Sequence, residues 1–161
     1  MAESLATKRN SAVVRFARYW LPVILLIIAL FSFSGDTFSD YRTSGRINRF
    51  LLWLFPDIKY GLLVWINYFV RKAAHLVSYA VLAAMLFRAF RSDSLTRWRF
   101  AWAAYSMAIT IIWAMLDEYR QSFVPSRSGS IYDSMIDTLG GIFALAVIYW
   151  FARRSQRRDT R

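Results

Sequence analysis

Four long apolar segments, at residues 19–33, 58–90, 100–116 and 131–151, decide what this chain can fold into. A helix of about 20 apolar residues spans the hydrocarbon of a bilayer and satisfies its own backbone hydrogen bonds there. Hydrophobic residues make up 57% of the 161, more than a soluble domain of this size normally contains. The sequence therefore predicts an all-α integral membrane protein, a bundle of four transmembrane helices.

The first segment is short for a span, so we expect its helix to begin near Phe16. Pro22 then falls in the first turns, where proline is tolerated. Basic residues followed by an apolar run are also typical of a signal peptide. No small-residue cleavage motif follows Phe33, and three more apolar segments come later, which favours a retained helix.

The second segment is interrupted by Arg71, Lys72 and His75. Its span either begins near Arg71, with residues 61–70 at the interface, or begins near Gly61 and leaves Arg71 deep in the bilayer. The first placement is favoured because a buried arginine is costly.

Residues 41–55, between the first two spans, form an amphipathic pattern. Its apolar residues recur at helical spacing and oppose three arginines. We expect an interfacial helix in the first outer loop, which covers the bundle without a specific role. The apolar residues are Ile47, Phe50, Leu51, Leu54 and Phe55, and the arginines are Arg42, Arg46 and Arg49.

Basic residues predict the orientation. With four spans, thirteen of the 21 lysines and arginines fall on the side of both termini and eight on the other, so the positive-inside bias puts both termini in the cytoplasm. The expected organisation is a cytoplasmic basic segment (1–15), a four-helix transmembrane domain (16–152) and a cytoplasmic basic tail (153–161). We expect the first ten and last eight residues to be disordered. The net charge of +11 favours an anionic membrane surface over nucleic acid as partner.

Two residue types restrict the chemistry. The chain has no cysteine, which excludes disulfides and thiolate metal sites. It has one histidine, His75, which excludes metal motifs built on several histidines.

Polar residues of three predicted helices point to one outer site. On the second span, one helical face carries Arg71, Lys72, His75 and Tyr79. The outer end of the third span carries Asp117, Glu118 and Gln121, and the first turns of the fourth carry Asp133 and Asp137.

The connection between the third and fourth spans reads as a turn. Pro125 stops the third helix, and Ser130 is a suitable N-cap for the fourth. Asp133 lies in the first turn, where the helix dipole favours an anion. Gly140, Gly141 and Ala144 permit close approach of another helix.

Structural roles compete with functional ones at each of these positions. Arg71 and Lys72 alone would be interpreted as snorkelling anchors, and Asp133 as a partner of the helix dipole. The structural role of Tyr79 would be to pack in the bundle and make one hydrogen bond. His75 and Asp137 are harder to dismiss because each lies a full turn inside its span, although the two could pair and merely hold the bundle together.

Two motifs resemble those of the VanZ-like membrane protein family. The segment RKAAHLVSYAVL at residues 71–82 resembles its RKxxHxxxYxxL signature. The segment DEYRQSFVPSR at 117–127, with Asp133, is similar to its DExxQxFxPxR…D signature. The resemblance covers residues 19–150. The sequence departs from the pattern at Asp137, where the family usually has Asn, and at Ala144, where it usually has Gly.

The resemblance implies a small bacterial membrane protein of the cytoplasmic membrane with a role at the cell envelope. The family name comes from a member associated with low-level resistance to the glycopeptide teicoplanin. No defined reaction follows from it.

Two hypotheses on function result. In the first, the outward site binds an anionic envelope lipid, a cell-wall precursor or a glycopeptide antibiotic through charge-assisted hydrogen bonds. The binding residues would be Arg71, Lys72, Tyr79, Gln121, Arg127, Asp133 and Asp137.

In the second hypothesis the chain is an enzyme acting on a lipid-linked phosphate or ester. His75 would act as general base or nucleophile, oriented by Asp117 or Glu118, while Lys72 and Arg127 would stabilise developing charge. The sequence contains no serine or cysteine nucleophile motif.

No cofactor is predicted. One alternative is a magnesium or calcium ion held by carboxylates, which would come from Asp117, Glu118, Asp133 and Asp137.

Overall fold

The computed structural model describes residues 2–33, 40–123 and 130–159, with side chains placed for 12–32, 44–45, 47–123 and 130–157. Within these residues the chain forms five α-helices and no strand. They are α1 (Ala2–Phe33), α2 (Asp40–Leu54), α3 (Tyr60–Arg91), α4 (Phe100–Gln121) and α5 (Ile131–Asp159).

Four of the helices are long and apolar enough to cross a membrane. These spans are Ala12–Ser32, Tyr60–Arg91, Phe100–Gln121 and Ile131–Arg157. They confirm the expected fold class, a multi-pass bundle of four transmembrane helices. The amphipathic segment is also helical, as α2, and contacts α3. Asn67 of α3 donates a 2.6 Å hydrogen bond to the Asn48 side chain of α2.

The helices are longer than the apolar segments that define them. The first begins at Ala2 rather than near Phe16, and the last continues to Asp159, so the expectation of disorder at both ends is wrong for residues 2–10 and 154–159. Alanine, lysine, arginine and glutamine are good helix formers, so the helices continue into the polar segments that flank the apolar ones.

The helix α3 runs without a break through Arg71. Its 32 residues correspond to about 48 Å at 1.5 Å per residue, whereas the hydrocarbon of a bilayer is about 30 Å thick. The residues after Arg71 can therefore cross the bilayer while the first turns of α3 extend beyond it. This length is compatible with the favoured placement of Arg71 near the headgroups.

The helix α3 is the centre of the bundle. It packs against α1, α4 and α5, and most extensively against α5. One apolar cluster joins Val23 of α1 to Leu82 and Leu86 of α3, all of them buried. Many large hydrophobic residues on the outer faces stay exposed, which suits contact with lipid.

Polar contacts join the C-terminal end of α3 to α1. The Tyr19 hydroxyl donates a 2.5 Å hydrogen bond to Asp93, just beyond α3. The Arg88 guanidinium lies over the Tyr19 ring, 5.0 Å from its centroid. These contacts hold α1 beside the C-terminal end of α3.

Glycine at position 140 allows α5 to approach α3 closely. A Cβ atom built on Gly140 would overlap the backbone carbonyl of Leu76, while one on Gly141 would meet only side-chain atoms of Thr110 and Met107. A backbone carbonyl cannot move aside as a flexible side chain can, so residue 140 must be glycine for this contact. The expected close approach of small residues is confirmed here.

We expect Gly140→Ala to destabilise the bundle by about 1–3 kcal/mol, because α5 must move away from α3 to admit the methyl group. Thermal unfolding of the purified protein in detergent measures the effect. Gly61→Ala on α3 is the matched control, since nothing lies within 4 Å of its Cβ position, and alanine there should be neutral or stabilising by up to about 1 kcal/mol. Equal melting temperatures for the two variants would contradict the close contact.

Candidate functional site

Polar side chains of three helices converge at one end of the bundle. They come from the middle of α3, the C-terminal end of α4 and the first turns of α5. The carboxylates of Asp117, Glu118, Asp133 and Asp137 are all buried. We call this set the polar cluster; it comprises Arg71, Lys72, His75, Tyr79, Asp117, Glu118, Gln121, Asp133 and Asp137.

Asp133 pairs with both cations of α3. The Lys72 ammonium donates a hydrogen bond to Asp133 Oδ1, and an Arg71 guanidinium nitrogen lies 3.7 Å from Oδ2. The side chains of Arg71 and Lys72 keep 28% and 19% of their surface exposed, against 3% for Asp133. The cations therefore form the rim of the cluster and the carboxylate lies beneath them.

His75 pairs with Asp137 one turn further along both helices. The imidazole Nδ1 lies 3.2 Å from Asp137 Oδ1 and 3.4 Å from Oδ2. We expected Asp117 or Glu118 to orient His75, and the hydrogen bond runs to Asp137 instead. The alternative in which His75 and Asp137 pair with each other is the one that the geometry shows.

Asp117 and Gln121 pair within α4. The Gln121 amide donates a 3.0 Å hydrogen bond to Asp117 Oδ2, as their i, i+4 spacing allows. The Tyr79 hydroxyl of α3 is buried near Asp117. It makes no hydrogen bond of good geometry to the described part of the chain.

Glu118 links the end of α4 to the start of α5. Its Oε2 accepts a 2.7 Å hydrogen bond from the Ser130 backbone N–H. The Ser130 hydroxyl in turn accepts from the Tyr132 N–H at 3.3 Å, which confirms Ser130 as the N-cap of α5. The Ser134 hydroxyl donates to the Ala114 carbonyl of α4. Two hydrogen bonds in and beside the cluster thus join the two helices.

The structure brings together nine of the ten candidate site residues that the sequence predicts. The tenth, Arg127, lies outside the described residues, as do Pro125 and the rest of the turn before Ser130. The motifs did not indicate the Ser130 backbone N–H or the Ser134 hydroxyl as partners. Every residue except proline has a backbone N–H, so the sequence cannot show which of them donates to a side chain. The contact becomes visible only when the end of α4 and the start of α5 are seen side by side.

The four carboxylates of the alternative cation site face different partners in the structure. Asp133 faces the cations of α3 and Asp117 faces Gln121. Among the described residues, the side chains that could share an ion are His75, Glu118 and Asp137, each offering a ligand atom within 4.8 Å of the others.

The VanZ/LLP1 family model matches residues 19–153, which include the whole polar cluster, all of the second and third spans and most of the first and fourth. The chain belongs to the VanZ/LLP1 family. Comparisons with curated proteins and with solved structures give no significant match. In this VanZ/LLP1 protein, described residues of both signature segments lie in one polar cluster, although the segments begin 46 residues apart, at Arg71 and Asp117.

We expect Asp133→Ala to lower the free energy of unfolding by about 1–3 kcal/mol, because Lys72 and Arg71 lose a buried partner while keeping part of their solvation. Thermal unfolding in detergent measures the change. Asp57→Ala removes an exposed carboxylate near the start of α3 and should shift stability by no more than about 0.5 kcal/mol. If both variants unfold alike, the pairs at Asp133 do not hold α3 to α5.

Proposed function

We propose that this VanZ/LLP1 protein is a binding protein of the bacterial cytoplasmic membrane that takes up the anionic group of an envelope molecule. That molecule is an anionic lipid, a lipid-linked cell-wall precursor or a glycopeptide antibiotic. One observation supports the proposal above others: Arg71 and Lys72 stay partly exposed at the rim while the carboxylates beneath them are buried. An anion that approaches the cluster meets the cations first.

The cations stay partly accessible to a ligand while they contact Asp133. An ammonium has three N–H donors and a guanidinium five in a planar fork. The exposed parts of both side chains leave room for a phosphate or carboxylate to contact Arg71 and Lys72 from the outer side. Arginine would bind it as a fork and lysine as a point charge.

The rim is suited to a ligand that is itself part of the membrane. The Lys72 ammonium lies 5.3 Å from the centroid of the Tyr68 ring, and Tyr68, Phe69 and Trp65 form an exposed aromatic group on the same helix. Aromatic rings beside cations are typical of the headgroup level of a bilayer. An amphiphile could keep its chains in lipid while its anionic group reaches the rim.

A second candidate function is an enzyme acting on a lipid-linked phosphate or ester. The observation in its favour is the His75–Asp137 contact at 3.2 Å, because a carboxylate that orients an imidazole is the usual support of a general base. Here Asp137 takes the orienting role, and Glu118 is the neighbouring carboxylate. In this second function the protein would convert the envelope molecule chemically, whereas in the first it would only bind it.

The motif face points outward in our proposal and both termini lie in the cytoplasm. The majority of basic residues at the terminal side supports this orientation. The cluster would then face the side of the membrane on which cell-wall precursors and glycopeptides act.

We expect the purified protein to bind nanodiscs or mixed micelles containing phosphatidylglycerol or a polyprenyl phosphate more tightly than those with phosphatidylcholine alone. Arg71→Gln and Lys72→Gln should each weaken binding about tenfold, because each loses a charge-assisted hydrogen bond. Lys59→Gln, which alters an exposed lysine just before α3, should leave binding unchanged. Native mass spectrometry measures the bound lipid, and parallel titration with teicoplanin tests the glycopeptide.

Equal losses in the Lys59 variant would show that only general surface charge attracts the lipid. Chemical conversion of the polyprenyl phosphate, with loss of conversion in His75→Gln, would replace the binding proposal by the enzyme.

We expect Ser128→Cys to react with a membrane-impermeant maleimide in intact cells, because the motif face points outward. The chain has no native cysteine, so one label reports one site. Leu95→Cys, in the exposed connection between α3 and α4, should react only after permeabilisation. The reverse pattern would overturn the orientation.

A further inference from the structure

We propose that the polar cluster holds one divalent metal ion, coordinated by His75, Glu118 and Asp137. This site goes beyond the proposed anion binding, since it lies among buried carboxylates rather than at the cationic rim. It does not require that an anion is bound.

The first support is the geometry of the three side chains. His75 comes from α3, Glu118 from α4 and Asp137 from α5, and each offers one ligand atom within 4.8 Å of the other two. Two ligands of one ion at about 2.0–2.2 Å each can be at most about 4.4 Å apart. The 4.8 Å limit exceeds this maximum by about 0.4 Å, so small side-chain adjustments would be needed to place all three atoms on a common ion.

The second support is a buried acceptor that lacks a partner. Glu118 is 6% exposed and its Oε2 accepts from Ser130, but its Oε1 has no hydrogen-bond partner within the described residues. An unsatisfied buried carboxylate oxygen is costly, more so than a neutral acceptor. A metal ion bound to Oε1 would remove this cost, while Oε2 keeps the α5 contact.

The third support is the balance of charge. Four buried carboxylates meet two fixed cations, Arg71 and Lys72, in the described part of the cluster, and protonation of the single imidazole adds at most one positive charge. Both fixed cations face Asp133. Glu118, Asp137 and Asp117 are the other buried carboxylates in the described part of the cluster, and their negative charge would attract a cation.

Two more buried polar atoms that lack a hydrogen-bond partner lie at the same end of the bundle. They are the Tyr79 hydroxyl and Gln121 Oε1, again judged over the described residues. A metal ion with three protein ligands keeps an open position for water, and such a water could hydrogen-bond groups of this kind.

The ligand set selects the kind of ion. One imidazole nitrogen with two carboxylates suits Zn²⁺ or Mn²⁺. Mg²⁺ and Ca²⁺ prefer oxygen ligands alone, which was the basis of the four-carboxylate alternative. The two sets share Glu118 and Asp137, and differ in His75 against Asp117 and Asp133.

The test uses the full chain, purified in detergent without a histidine tag and stripped with EDTA. Zn²⁺ or Mn²⁺ is added alone, metal content is measured after gel filtration, and Tm is followed by thermal unfolding. We expect one ion per chain and a rise in Tm that grows with metal concentration. His75→Gln, Glu118→Gln and Asp137→Asn should each weaken binding at least about tenfold and remove the rise in Tm.

Asp117→Asn and Asp133→Asn are the matched controls, since both remove a carboxylate from the same cluster without touching the three ligands. They should keep one ion per chain and a metal-dependent rise in Tm. Glu118→Gln retains an acceptor for the Ser130 N–H, so we expect it to fold and its metal-free Tm to stay near that of the wild type.

Absence of stoichiometric Zn²⁺ or Mn²⁺ binding would overturn the proposal, as would binding that survives all three ligand substitutions. Loss of binding in Asp117→Asn and Asp133→Asn, but not in His75→Gln, would assign the ion to the four-carboxylate set instead. The metal is added without lipid, so a failure to bind metal does not affect the test of anion binding at Arg71 and Lys72.

Discussion

The close packing of α5 against α3 is the contact on which the rest of this protein depends. Gly140 lets the two backbones meet at Leu76, next along α3 to His75. At that separation Asp133 reaches Lys72 and Asp137 reaches His75. A charged group inside a membrane protein is costly unless it is paired, so this helix pair decides whether the polar residues of the family motifs can be buried at all.

The polar cluster combines two environments within one end of the bundle. Arg71 and Lys72 at the rim retain contact with the surroundings, whereas Asp137 and Glu118 are enclosed by three helices. The rim is suited to an anionic group and the enclosed part to a cation. A metal ion in the enclosed part would also lower the electrostatic cost of bringing an anion near four carboxylates. The two proposals are therefore compatible, although each stands on its own contacts.

Much of the fold was predictable because the bilayer imposes it. Segments of apolar residues must be helical in lipid, and their number, order and approximate position follow from the sequence. The amphipathic helix α2 was predictable from its periodicity, and the convergence of the two motifs from the antiparallel order of successive spans. The extent of α1 and α5 was not, because charged residues beyond the apolar part are good helix formers and give no stop signal.

The sequence by itself determined the class of the protein, its four spans and the residues of the candidate site, since hydropathy and helical spacing act locally. Only the tertiary structure decided the partners: Asp137 rather than Asp117 or Glu118 for His75, and the Ser130 N–H for Glu118. Such pairings depend on how deeply and at what rotation neighbouring helices pack. That rotation is decided by contacts such as Gly140 against Leu76, which involve backbone atoms and leave no periodic signal along the chain.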